Sequence, residues 1–176
     1  MIKKILILLL MSSSLYAKDI NLNITDLGFD EDKEQNPELS KILEEREYYL
    51  KQHQIWGLVS ATTMVLAVFS GGEGNLPPEH AFFAGLAATS YAASAYTAWK
   101  APEINNKKLK GGSLWHRRLA WLHVPGMFLT PILGYLAAQK INKGKELSGV
   151  EKYHKDVAGV TAAALMLSAL SVSFEF

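Results

Sequence analysis

The chain contains no cysteine in its 176 residues. That absence excludes disulfides, thiolate nucleophiles and iron–sulfur ligation. It also lacks an excess of either charge: 18 Lys and Arg stand against 17 Asp and Glu, a formal net charge of +1. Nucleic-acid binding needs a basic footprint that this balance does not supply. There is no Gly-rich phosphate loop, no Ser-His-Asp order and no pair of carboxylates inside an apolar segment. The most informative absence is local. Residues 52–72, 80–99, 119–139 and 157–174 contain no Asp, Glu, Lys or Arg. A bilayer core about 30 Å thick is crossed by roughly 20 residues of apolar helix. Four windows of that length predict four membrane spans rather than one soluble core.

The N-terminus carries a different signal. Met1-Ile2-Lys3-Lys4 is basic, Ile5 to Met11 is apolar but too short to span, and Leu15-Tyr16-Ala17 ends in a small residue. This is the layout of a cleaved signal peptide over residues 1–17. It predicts a bacterial inner-membrane protein with its arm in the periplasm. Residues 18–47 form an acidic arm and an amphipathic lead-in, with Pro37-Glu38-Leu39-Ser40 opening a helical pattern. Residues 48–176 are the four-helix membrane domain. Helix starts are marked by Pro77-Pro78 and by the basic loops around Lys107 to Gly112 and Lys140 to Lys155. Short connections predict an all-α, antiparallel, up-down-up-down bundle within the membrane. Pro125 and Pro131 fall inside the third span, where neighbouring helices tolerate them.

Five histidines follow the spans: His53 in the first, His80 at the start of the second, His116 and His123 near the start of the third, and His154 at the start of the fourth. Ionisable side chains at membrane depth point to function. In an antiparallel bundle the first and third helices start on one face, and the second and fourth on the other. His53 is then level with His116 or His123, and His80 with His154. Two imidazoles facing across a bundle interior suit the axial positions of a six-coordinate haem b. Zinc would require more ligands in one place.

His53-Gln54-Ile55-Trp56-Gly57, Tyr153-His154-Lys155-Asp156-Val157-Ala158-Gly159 and a histidine on each of four successive helices resemble the cytochrome b561 family. The resemblance covers about residues 48–174. It implies two b-type haems, held by the first and third and by the second and fourth helices, and electron transfer across the membrane. The loop between the first two spans is very short, and no ascorbate-binding feature is present. Donor and acceptor are therefore not carried over.

Depth separates the two candidates on the third helix. Arg117 and Arg118 mark the headgroup level beside His116, whereas His123 lies deeper. This selects His53 with His123 and His80 with His154 as iron ligands, with His116 as the alternative or as a hydrogen-bond partner of a haem propionate. Arg117, Arg118, Lys152 and Lys155 are propionate partners by charge. Gly57, Gly85, Gly126 and Gly159, three to five residues after a histidine, are candidates for haem clearance. Met64, Met127 and Met166 read as packing, and the four tryptophans as an interfacial belt.

One feature opposes the topology. With the arm in the periplasm, eleven Lys and Arg lie on that side against five on the other, the reverse of the positive-inside rule. The expected partners are membrane lipid, a quinone or cytoplasmic-side donor, and a periplasmic redox protein, with no nucleic acid. Whether the chain catalyses a net reaction alone is open. The competing expectation is a haem-free adaptor or anchor subunit of a larger complex.

Overall fold

The computed structural model describes residues 37–72, 76–104 and 111–173. The signal peptide expected at 1–17 and the arm as far as residue 36 lie outside them. Among the described residues there are four α-helices and no strand: α1 (Pro37–Ser70), α2 (Pro78–Lys100), α3 (Gly111–Asn142) and α4 (His154–Ser173). A single 3-10 turn, Val150–Tyr153, leads into α4.

Local chemistry sets the helix ends. Pro77 caps α2 in an extended conformation (φ −64°, ψ 138°) and Pro78 takes its first position, where a missing N–H costs nothing. Helix α3 ends in a Schellman motif. Lys145 N–H reaches Lys140 O at 3.0 Å, Gly144 N–H reaches Ile141 O at 2.9 Å, and Gly144 adopts φ 62°. A side chain at that φ is strained, so Gly144→Ala is expected to destabilise the protein by about 1 kcal/mol. Thermal unfolding in detergent would measure it, and an unchanged midpoint would contradict the strain argument.

The turn before α4 is held by Glu151, which is 4% exposed. Its carboxylate pairs with Lys140 and accepts the backbone N–H groups of Ser148 (3.1 Å) and Gly149 (2.8 Å). The clamp ties the end of α3 to the start of α4, and so fixes where His154 begins its helix.

The packing is inverted relative to a water-soluble protein. Small and hydroxylated residues fill the interior: Ser60 and Ser168 are 0% and 1% exposed, and Ala61, Ala87, Ala158 and Ala162 join Met64, Met127 and Leu165 in the core. Met166 packs against that core. Large apolar side chains face outward, among them Phe69, Trp121, Phe128 and Val160. Small residues permit close helix approach where lipid, not water, surrounds the exterior. Helix α1 packs chiefly on α2 and α3 chiefly on α4. The two hairpins meet through α1 and α4, and α2 touches α3 little.

Three helical segments are long and apolar enough to cross a membrane: Pro37–Ser70, Gly111–Asn142 and Val150–Val172. The four charge-free windows predict four. Helix α2 falls short because freedom from charge is not the same as apolarity: it carries His80, Thr89, Ser90, Tyr91, Ser94, Tyr96 and Thr97. Several of those hydroxyls are satisfied within the protein. Ser90 bonds Leu86 O (2.6 Å), Thr97 bonds Ala93 O (3.1 Å) and Ser94 bonds His53 O across the hairpin (3.0 Å).

Candidate functional site: two histidine pairs

The hairpins repeat one another. Along α1 stand His53, Ser60 and Ala67, and along α2 stand His80, Ala87 and Ser94. Along α3 stand His116, His123 and Thr130, and along α4 stand His154, Thr161 and Ser168. Each step is seven residues, two helical turns or about 10.5 Å. The spacing keeps all three positions of a helix near one face.

Within each hairpin the contacts correspond. His53 Nδ1 donates to Ser94 O at 2.9 Å and lies 2.9 Å from Ser94 Oγ. His116 does the same to Ser168, at 3.1 Å from the carbonyl and 2.8 Å from the hydroxyl. On the return helices, His80 Nδ1 donates to Ala67 O (2.8 Å) and His154 Nδ1 to Thr130 O (3.0 Å). A carbonyl only accepts, so each Nδ1 must carry the hydrogen. The lone pair of all four rings is thereby placed on Nε2. This is how ligating imidazoles are oriented in metalloproteins, by a carbonyl or carboxylate behind the other nitrogen.

The rings then meet across the hairpins. His53 and His116 have centroids 5.7 Å apart at an interplanar angle of 87°. His80 and His154 are 6.0 Å apart, also at 87°. Both pairs join helices that are not principal packing neighbours, α1 with α3 and α2 with α4. Imidazole nitrogen binds a first-row metal at about 2 Å with the ring centre roughly 1 Å behind it, so two axial rings on one metal lie about 6 Å apart. The observed separations fit. Among the described residues no group of three or more His, Asp or Glu is placed to hold a bare metal ion. Two imidazoles per site match a metal that brings its own equatorial ligands.

No family model, curated protein or solved structure matches the chain.

The sequence reading puts His123 opposite His53 and keeps His116 as the alternative. The ring opposite His53 is that of His116, not His123. Helix α3 begins at Gly111, so His116 already lies within the helix, and the Ser168 carbonyl turns its ring inward. His123 is buried two turns deeper, with Nδ1 2.9 Å from the hydroxyl of Tyr91 on α2. The His80–His154 pairing is the one the topology argument names.

The basic candidates stand outside the pairs. Arg118 stacks over the Trp115 ring at 5.3 Å and Lys152 over Tyr153 at 4.9 Å, while Arg117 and Lys155 are exposed. The candidate clearance glycines divide. A Cβ on Gly57 would lie 3.3 Å from Ser94 Oγ, and one on Gly126 would strike Thr161, so these two serve helix–helix approach. Gly85 and Gly159 have no atom within 4 Å of such a Cβ. Ser94, Ser168, Thr130, Tyr91 and Gly134 were missed by reading the histidines alone. The signal was available in the seven-residue steps from each histidine, which reach Ser94, Thr130 and Ser168.

Proposed function

We propose that the chain is an electron-transfer cytochrome of the bacterial inner membrane, a four-helix up-down-up-down bundle binding two b-type haems. His53 and His116 hold one, and His80 and His154 the other. The observation that carries this reading is the pair of imidazole couples at 5.7 and 6.0 Å, each ring locked through Nδ1 to a backbone carbonyl. Bound haem supplies one-electron chemistry at its iron. The protein supplies the rest: fixed ligand geometry, exclusion of water and a low dielectric, the levers that set potential.

The two couples are separated along each hairpin by 14 residues, about 21 Å of helix. This separation supports a reading in which one couple lies toward each face of a bilayer core and electrons pass between partners on opposite sides. With residues 18–47 in the periplasm, the His53–His116 site exchanges electrons with a periplasmic redox protein, and the His80–His154 site with a quinone or a cytoplasmic-side donor. Arg117, Arg118 and Lys155, next to the couples in sequence, are suited by charge to haem propionates.

The test is a visible spectrum of protein purified in detergent. Sharp reduced b-type bands and about two haems per chain are expected. Colourless protein that takes up no added haem would reject the reading in favour of a haem-free membrane adaptor.

A further inference from the structure

His123 is the one histidine with no histidine counterpart in the repeat between hairpins. Its counterpart one hairpin earlier is Ser60, whose hydroxyl satisfies Ala87 O at 3.0 Å. His123 instead reaches away from its own hairpin to Tyr91 on α2, with the two rings 5.7 Å apart at 87°. It is 6% exposed, and its Nε2 is sealed from solvent with no hydrogen-bond partner. Its ring lies 6.5 Å from that of His116. The Tyr91 hydroxyl and His123 Nδ1 share one hydrogen bond at 2.9 Å, and with Tyr91 as its donor the ring's own hydrogen sits on Nε2. A buried ring nitrogen left without a partner is costly in either tautomer, which marks Nε2 as a group whose partner is a bound ligand.

We propose that Tyr91 donates to His123 Nδ1, and that His123, with its hydrogen on Nε2, is a positioning residue that raises the reduction potential of the haem bound by His53 and His116. This rests on the haem reading above. The argument is electrostatic. A fixed N–H dipole in a water-excluded interior favours added negative charge beside it, and reduction adds one electron to the neighbouring site. Among the described ring contacts His123 meets His116 and Tyr91 and neither His80 nor His154, so the dipole acts on one site and the two potentials differ, which gives electron flow between them a direction.

The experiment is a redox titration of the purified haem protein and its variants at one pH. Haem content of the unmodified protein is measured first; a haem-free chain would reject the function proposed above, independently of His123. In His123→Phe both haems should stay bound and low-spin. One should shift toward the oxidised form about tenfold at a fixed solution potential, equivalent to 59 mV for one electron. The other should not move. His123→Gln, which keeps an N–H donor, should recover most of the shift, and Tyr91→Phe, which unlocks the ring, should lose part of it. These two also carry the test if His123→Phe does not fold. Loss of the haem or a high-spin spectrum in His123→Phe would make His123 an axial ligand and overturn the proposal. Unchanged potentials in all three variants would reduce it to packing.

Discussion

If the chain binds two haems as proposed, replacing His154 with Ala is expected to halve the haem content and leave a normal low-spin spectrum from what remains. The His80 and His154 rings form one couple and contact neither His53 nor His116 among the ring pairs of the structure. A haem held by this couple would lose one of its two imidazole ligands, and the truncated side chain would also remove the ring that faces His80. The second couple, about 21 Å away along the helices, keeps both ligands and both carbonyl supports. His80→Ala should give the same result, since the couple fails with either partner. His116→Ala should remove or convert to high spin the other haem, because His116 is the ring opposite His53. Pyridine haemochrome content and the reduced spectrum measure all three. Loss of both haems from any one variant would show that the sites are not independent.

On the same proposal, Gly134→Val is expected to weaken haem binding at the His80–His154 couple by about tenfold or more, without replacing either histidine. A Cβ built on Gly134 would lie 2.8 Å from His154 Cε1 and 3.2 Å from its Nδ1. Contacts under 3.0 Å are not sustained, so the ring must shift. The shift would break the 3.0 Å bond from His154 Nδ1 to Thr130 O, the contact that fixes both tautomer and ring direction. The ligand would survive chemically while its nitrogen points elsewhere. Titrating haem into haem-depleted protein should reveal one weakened site and one unaltered site. If both bind as before, the glycine is not what gives His154 its room.

How much of this was legible in the residues differs from feature to feature. The charge-free windows locate α1, α3 and α4 because desolvation of charge acts residue by residue and needs no partner. They overstate α2, whose polar hydroxyls are acceptable only because Ser94 and its neighbours find carbonyls in the folded hairpin. The couple of His80 with His154 follows from helix order alone. The couple of His53 does not. Depth along a helix axis is a one-dimensional property, and the position of Arg117 and Arg118 favours the deeper histidine only while α3 is considered by itself.

The sequence by itself determined a chain of long, charge-poor helices with a histidine on each, since helix length, charge and seven-residue spacing are properties of the chain. Tertiary structure decided which rings meet. His116 and His123 share one face of α3 and differ by about 10.5 Å along it, so only the register of one hairpin against the other selects between them. That register is set by the small residues of the shared core and by the Tyr91–His123 contact between hairpins, while the Ser94 and Ser168 carbonyls orient the His53 and His116 rings within theirs.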